Sequence, residues 1–332
     1  MGRGDRNPYV AARSLASLAL WLLVPGGAHA DPPAAPVSPP VAAPQSAVSG
    51  AAVAGHAMPQ PDKALPQVTI EAQRVSLEHR LTMFVSSITR SAPREEALQR
   101  WQTPICPLVA GLSREQGEFM LERLSQIARE VGAPLDREHC HANLVVVVTS
   151  EPDKLIKAWG DRGRVFWGER ASVAAFNAFL ETPRPVRVWY NREFGSPAGA
   201  PATRGLNMTL DRPFTDGVFT RSKMDVKDML LLASIAVIVD RKEVDGLLQI
   251  GQLTDYVAMV TLTETDLDAP LGNAPTILHL FDARHPGEQR PAGLSAWDQA
   301  FLKALYNDAS SQQILITERS QITGKMLHDL AP

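Results

Sequence analysis

Several motifs that mark common enzyme classes are missing from this 332-residue chain. No G-x-G-x-x-G segment follows an apolar strand pattern and no G-x-x-x-x-G-K-[ST] motif occurs, so the sequence encodes no glycine-rich phosphate cradle. No G-x-S-x-G motif offers the sharp turn that presents the serine of an α/β-hydrolase. These absences argue against nucleotide binding and against that hydrolase class, and the sequence predicts no catalytic residue.

Excess charge and long apolar runs are also missing. The formal net charge is −3, which gives no electrostatic reason to expect binding to nucleic acid or to an anionic membrane. Beyond the N-terminal segment, no run reaches the roughly 18 apolar residues that suggest a membrane span. We therefore expect no nucleic-acid partner and no integral membrane anchor after signal cleavage. The sequence also points to no cofactor.

The first 30 residues carry the pattern of an export signal. Three arginines precede a largely apolar run over residues 15–24, and the A-x-A pattern of residues 28–30 follows. As a helix, the apolar run would rise only about 15 Å, roughly half of a bilayer core. We therefore expect a signal peptide over residues 1–30, cleaved between Ala30 and Asp31.

The next segment has the composition of a disordered linker. Residues 31–66 contain nine prolines and ten alanines but no aromatic residue, so little there can offset the entropy of ordering. We expect residues 67–332 to form a globular α+β domain. A glycine- and proline-rich stretch near residues 195–205 is a possible internal boundary.

The chain has only two cysteines, Cys106 and Cys140, and both lie in this folded part. An even count in an exported chain favours a disulfide between them. Closing the intervening loop would add about 3–4 kcal/mol to stability in the chain-entropy model. Together with the signal pattern, this predicts a periplasmic or secreted protein.

The first half of the folded part predicts alternating helices and strands. Ser113 and Gln116 form a capping box before a helix that Gly132 is placed to end. Residues 143–149 are apolar and β-branched on both faces, which is typical of a central, covered strand. Further predicted elements are helices over 153–159 and 170–180 and a strand over 186–190.

The second half predicts mainly helices. We expect a helix over residues 227–235 leading into a short strand, 236–240, and a longer helix over 249–263. An apolar patch over residues 277–281 lies between two predicted loops. Ser295 is expected to cap one further helix, and 311–330 to form the last one. The fold class predicted is α+β, with a mixed sheet and several packed helices.

Two groups of polar residues are candidate sites. His139 and His141 flank Cys140; on a strand they would share one face and could bind a metal ion together, but a stable site needs a third ligand. The alternative is a pair of polar residues beside a disulfide. On the helix predicted over 249–263, Gln252, Asp255 and Tyr256 lie on a polar face. That face is either a ligand-binding wall or a set of side chains bonded to nearby backbone.

The second half also carries a resemblance to known proteins. The segments VDRKEVDGLLQIGQLTDYVAMVTLTETD and LSAWDQAFLKALYNDAS resemble uncharacterised exported proteins of Gram-negative bacteria. The stretch LSAWDQAFLKALY is similar to the helix that follows the active-site helix in zincin-type metalloproteases. In that comparison, the helix over 249–263 stands where a zincin carries H-E-x-x-H, but it contains no histidine. The resemblance therefore implies a degenerate zincin-like domain with Gln252, Asp255 and Tyr256 in the emptied site.

The sequence thus favours a non-catalytic binding or interaction protein whose partner is an envelope protein or a ligand. The alternative is a hydrolase-class enzyme, or a degenerate metalloprotease-like protein, with a site that the sequence does not reveal.

Overall fold

The structure of the chain is a computed structural model that describes residues 66–89, 98–161, 172–195, 229–282, 289–307 and 315–331. All of these residues fall in the unit Asp62–Pro332. The predicted signal peptide, the linker up to residue 65 and nearly all of the predicted boundary near 195–205 lie outside the described residues. Within the described ranges, no helix is long and apolar enough to cross a bilayer.

In the described part of the chain, the strands all precede residue 241 and only helices follow. The helices are α1 (Pro66–Ile88), α2 (Arg114–Val131), α3 (Pro152–Asp161), α4 (Val173–Glu181), α5 (Arg241–Val244), α6 (Ile250–Leu262), α7 (Ala296–Tyr306) and α8 (Leu315–Leu330). The strands are β1 (Pro107–Ala110), β2 (Leu144–Thr149), β3 (Val186–Gly195) and β4 (Met229–Asp240). A short 3-10 helix spans Ile277–Phe281.

The four strands form one mixed sheet in the order β1-β2-β4-β3. β1, β2 and β4 are parallel, with Val146 opposite both Val109 and Val237. β3 is antiparallel to β4 at the edge of the sheet. Parallel neighbours need a crossover, and α2 provides it between β1 and β2.

Both faces of the sheet are covered, because successive residues of a strand point to opposite faces. Val146 and Val148 join a large core that includes residues of α1, α2, α6, α7 and α8. Val145 and Val147 join a smaller core with residues of α3 and α4. The predicted α+β class, with a mixed sheet and several packed helices, is therefore confirmed.

Local signals located several elements correctly. The capping box of α2 is present, with the Ser113 hydroxyl accepting from the Gln116 amide, and Gly132 ends the helix with φ 83°. The predicted strand over 143–149 corresponds to β2, and the predicted helices over 153–159 and 249–263 correspond to α3 and α6.

The helix predicted over residues 227–235 is wrong. From Met229 onward the chain is already in β4, which continues without a break to Asp240. The first half of β4 pairs only with β3, and β2 joins from Ile235 onward. Leu231 and Leu232 are consecutive and both buried, so this half has no polar-apolar alternation. Its leucine- and alanine-rich sequence therefore fits a helix pattern equally well.

The predicted disulfide between Cys106 and Cys140 is present, with 5.9 Å between the Cα atoms. It links the residue before β1 to the segment that leads into β2. Asn143 strengthens the same junction, because its Oδ1 accepts from the Cys106 amide at 2.7 Å and its Nδ2 donates to the Pro104 carbonyl at 3.0 Å. The adjacent starts of two parallel strands are thus held together covalently and by hydrogen bonds.

Side chains from distant segments donate hydrogen bonds to the carbonyl groups in the last turn of α6. The final carbonyl groups of a helix have no partner within the helix itself. Here the Val260 carbonyl accepts from the Tyr190 hydroxyl at 2.7 Å, and the Thr261 carbonyl from Trp101 Nε1 at 2.7 Å. The Leu262 carbonyl accepts from the Tyr306 hydroxyl at 2.5 Å. α6 is therefore fixed at its C-terminal end by hydrogen bonds as well as by burial.

Candidate functional site

A cavity of about 700 Å³ lies between three segments that follow α6 in the chain. Residues 272–276 form one side, the 3-10 helix contributes His279 with the adjacent Asp282, and residues 289–295 close the other side. We call this space the outer cavity. Its volume lies within the range of about 300–1,000 Å³ that is usual for small-molecule sites.

A second space of about 180 Å³ adjoins the outer cavity, and we call it the inner recess. The two share Gly272, His279 and Asp282 in their linings. Tyr256 of α6 and Asp266, in the loop after α6, line the inner recess but not the outer cavity. The shared residues make the two spaces parts of one candidate site.

His279 and Asp282 form an imidazole–carboxylate pair at the boundary between the two spaces. A 3-10 helix has about three residues per turn, so residues three apart lie on the same side. Nδ1 of His279 contacts Oδ2 of Asp282, and the His279 side chain is only 12% exposed, whereas that of Asp282 is 50% exposed. With Nδ1 engaged, Nε2 is the ring nitrogen left for a ligand or a water molecule.

Tyr256 brings a buried phenol to the inner recess. Its side chain is only 7% exposed, and its ring packs edge-on against Phe281 with centroids 4.8 Å apart. Within the described residues, its hydroxyl has no hydrogen-bond partner. Burial raises the pKa of Tyr256 far above its ordinary value, so the phenol stays protonated.

Gln252 and Asp255 lie behind the wall of the outer cavity. The Asp255 carboxylate accepts from Arg123 Nε at 2.8 Å, from Arg123 Nη2 at 3.1 Å and from the Leu294 amide at 2.9 Å. Gln252 Nε2 donates to the Pro291 carbonyl at 2.8 Å. Of the three residues predicted as a binding wall, Tyr256 thus lines the site, while the other two hold residues 291–294 in place.

Gly293 allows this arrangement. A Cβ atom at this position would lie 2.6 Å from Oδ2 of Asp255, closer than side chains tolerate. Because that oxygen is already fixed by Arg123 and by the Leu294 amide, it has little freedom to move away. The absence of a side chain at residue 293 is therefore needed for the close approach of this loop to α6.

Asp298 fixes the opposite side of the outer cavity. Its fully buried carboxylate accepts from the Thr276 hydroxyl at 2.6 Å, the Ile277 amide at 2.8 Å and the Ser295 amide at 2.9 Å. These bonds join the start of the 3-10 helix to the start of α7. Burial raises the pKa of the Asp298 carboxyl, and the hydrogen bonds act in the opposite direction.

The two predicted histidines lie elsewhere in the fold. His139 and His141 are exposed and precede β2 instead of lying on a strand, so the geometry assumed for their shared face is wrong. His139 has φ 61°, in the left-handed region. Among the described residues, no group of three or more His, Cys, Asp or Glu side chains could bind a metal ion.

The sequence did not identify His279, Asp282 and Asp266 as site residues. The signal that could have located the first two is local: Thr276 caps a short apolar segment, and the two polar residues in it are three apart. Asp266 belongs to an alternation of acidic residues with Glu264 and Asp268, but its place in the recess depends on how the loop after α6 folds back.

Comparisons of this chain with protein-family models, with curated proteins and with solved structures found no match. The resemblance of residues 294–306 to a zincin helix therefore stays a prediction.

Proposed function

We propose that this chain is an exported, non-catalytic binding protein that takes up a small molecule in the outer cavity and the inner recess. The observation that carries the proposal is the Tyr256 hydroxyl, which is open to the inner recess and has no hydrogen-bond partner within the described residues. A ligand in the recess could exchange a hydrogen bond with this group.

The preformed walls of the site support the same proposal. Asp255 and Asp298 hold the two sides of the outer cavity through hydrogen bonds within the chain. A site that is already ordered loses less conformational entropy when a ligand binds. The lining also combines apolar residues with a few polar groups, as ligand sites commonly do.

Export is part of this proposal. What supports it is the signal-peptide pattern of residues 1–30 together with the Cys106–Cys140 disulfide, a bond that persists mainly in oxidising compartments. The mature protein would then start at Asp31 and act in the periplasm or outside the cell. An envelope protein is the other class of partner that the sequence leaves open.

Native mass spectrometry of protein recovered from its own envelope compartment tests both parts. We expect a polypeptide that starts at Asp31 and carries one bound small molecule. The variant Ala292→Trp, which fills the outer cavity from an exposed lining position, should lose that molecule. Glu122→Trp, at an exposed position on α2, is the matched control and should keep it. Bare protein in the wild type as well as in both variants would contradict the binding proposal.

One observation favours the alternative, a hydrolase. An imidazole whose Nδ1 is held by a carboxylate is a common general base, and His279 lines both spaces of the site. Turnover of p-nitrophenyl acetate and butyrate would test it. Activity that is lost in His279→Gln and kept in His328→Gln, an exposed histidine on α8, would replace the binding proposal with the hydrolase.

A further inference from the structure

A groove of about 450 Å³ lies along α1, and we call it the α1 groove. Its lining comes from α1, from the loop of residues 270–274 and from Trp297 of α7. Residues 272–274 line the outer cavity as well, so the two spaces share one loop. The volume of the groove lies within the range of about 300–1,000 Å³ that is usual for small-molecule sites.

One face of α1 provides most of the contact surface. Arg80, Met83, Phe84 and Ser87 follow the i, i+3, i+4, i+7 spacing that places side chains on the same side of a helix, and all four line the groove. The Phe84 ring packs edge-on against Trp297 with centroids 5.5 Å apart. Met83 is 55% exposed, and a methionine side chain adapts its shape to a ligand. The middle of the groove is therefore apolar.

Arg80 gives one end of the groove a positive charge. Its guanidinium lies over the Trp297 ring, 5.6 Å from the centroid, and within the described residues it has no hydrogen bond and no ion pair. The other ionisable residue of the lining is His79, and no aspartate or glutamate is present among the described lining residues. The lining therefore supplies a cation without a carboxylate to neutralise it.

Ser87 gives the other end of the groove a neutral polar group. The residue is only 9% exposed, yet its hydroxyl is open to the groove and has no partner within the described residues. Ser87 follows Arg80 by seven residues, which corresponds to about 10 Å along the helix axis. A serine hydroxyl both donates and accepts hydrogen bonds. The groove thus has a charged end and a polar end on either side of an apolar middle.

We infer that the α1 groove is a second ligand site, separate from the outer cavity and the inner recess, and that it takes an elongated organic carboxylate. The planar guanidinium of Arg80 matches a carboxylate in shape and charge and can donate two parallel hydrogen bonds to it. The apolar body of the ligand rests on Met83 and Phe84. A hydroxyl at its far end bonds to Ser87.

Other ligand classes fit the lining less well. An ammonium group would face the charge of Arg80 without a carboxylate among the described lining residues. A small inorganic anion would leave Met83 and Leu271 without an apolar neighbour. A neutral molecule would gain nothing from the guanidinium. An organic acid uses both the charge and the apolar surface.

Three probes of nearly equal size and different charge test the inference: 3-phenylpropionate, 3-phenylpropan-1-ol and 3-phenylpropylamine. Binding to the full-length mature protein is followed by calorimetry and by the methionine methyl resonances, at ligand concentrations up to about 10 mM, where weak complexes register. We expect the carboxylate to bind at least fivefold more tightly than the alcohol, and the amine not to bind. The Met83 methyl should shift, whereas that of the fully buried Met259 should not. Equal or tighter binding of the alcohol or the amine, or no Met83 shift with the carboxylate, would overturn the inference.

Variants on α1 locate the charged end. Arg80→Gln removes the cation, so the affinity for 3-phenylpropionate should fall at least fivefold and its advantage over the alcohol should disappear. Arg74→Gln, at an exposed position of the same helix outside the groove, is the matched control and should leave the affinity unchanged. If Arg80→Gln binds the carboxylate like the wild type, the inference is wrong.

A second acid tests the polar end. We expect 3-(4-hydroxyphenyl)propionate to bind severalfold more tightly than 3-phenylpropionate, and Ser87→Ala to remove that advantage while leaving the affinity for 3-phenylpropionate unchanged. Equal affinities of the two acids in the wild type would contradict the part assigned to Ser87.

The outer-cavity variant separates this site from the proposed function. Ala292→Trp, which fills the outer cavity, should still bind 3-phenylpropionate, because Ala292 does not line the α1 groove. Loss of binding in that variant would place the carboxylate in the outer cavity. A Met83 methyl shift that appears with rising protein concentration alone would assign the groove to a second copy of the chain. Either result would overturn the inference, whereas the proposed function is judged by the molecule recovered with the native protein.

Discussion

Three tyrosines contact α6 or lie on it, and their hydroxyl groups have different surroundings in two regions. At the end of α6, Tyr190 and Tyr306 donate to backbone carbonyls at 2.7 and 2.5 Å. At the inner recess, the Tyr256 side chain is buried, whereas those of Tyr190 and Tyr306 are partly buried, but within the described residues the Tyr256 hydroxyl has no partner. In the first region the hydroxyl groups bond the free carbonyl groups at the end of α6 and so stabilise the fold. The second leaves a phenol unpaired beside a cavity, which is the difference expected between a structural region and a binding site.

The largest expected effect is alkaline unfolding, in which both regions act together. Burial raises the pKa of Tyr190, Tyr256 and Tyr306 well above the ordinary value near 10. The folded state then keeps protons that the unfolded state releases, so stability is full below about pH 10 and falls as the pH rises above it. Each tyrosine contributes a slope of about 1.4 kcal/mol per pH unit.

Absorbance at 295 nm and circular dichroism, recorded together from pH 8 to pH 13, check this expectation. The three phenols should ionise only as the protein unfolds. Ionisation of all three near pH 10 with the fold intact would show that neither region buries its tyrosine as described.

Removing single hydroxyl groups separates the two regions. Tyr306→Phe leaves the Leu262 carbonyl without its 2.5 Å bond, and Tyr190→Phe does the same to the Val260 carbonyl. Each should lower the free energy of unfolding by about 1–3 kcal/mol, because a buried acceptor loses its donor. Urea denaturation measures the effect. A loss under about 0.5 kcal/mol in both variants would mean that these bonds do not stabilise the end of α6.

The difference between the regions also explains what the sequence could predict. α2 was located because its cap, apolar spacing and terminal glycine all lie within one short segment. Tyr256 was found by helical spacing, which depends on local geometry alone. The partners of Gln252 and Asp255 could not be inferred, because the Pro291 carbonyl and the Leu294 amide reach α6 only through tertiary folding. β4 was misassigned at its start because burial on both faces removes the alternation that marks a strand.

A methyl group at residue 293 should affect the binding site more than the end of α6. In Gly293→Ala the new Cβ would lie 2.6 Å from Asp255 Oδ2, so the carboxylate or the loop has to move. We expect a loss of about 1–3 kcal/mol in stability, the usual cost of forcing atoms into a packed region. Bound ligand should also be lost.

Gly117→Ala is the matched control for Gly293→Ala, since a Cβ there has no heavy atom within 4 Å. Placed within helix α2, it should be neutral or slightly stabilising. Denaturation and native mass spectrometry on both variants give the comparison. Unchanged ligand binding in Gly293→Ala would show that the loop near Asp255 does not shape the outer cavity.

Tyr256→Phe is expected to have the smallest effect on stability, and this is what distinguishes the inner recess from the end of α6. The hydroxyl that it removes is open to the recess and has no partner within the described residues, so no hydrogen bond of the fold is lost. The free energy of unfolding should change by less than about 0.5 kcal/mol in either direction, against the larger loss in Tyr306→Phe. Affinity for the molecule recovered with the native protein should nevertheless fall severalfold, because that molecule loses a hydrogen-bonding group of the recess. A stability loss as large as that of Tyr306→Phe would show that the Tyr256 hydroxyl serves the fold, and the argument for an unfilled binding position would no longer hold.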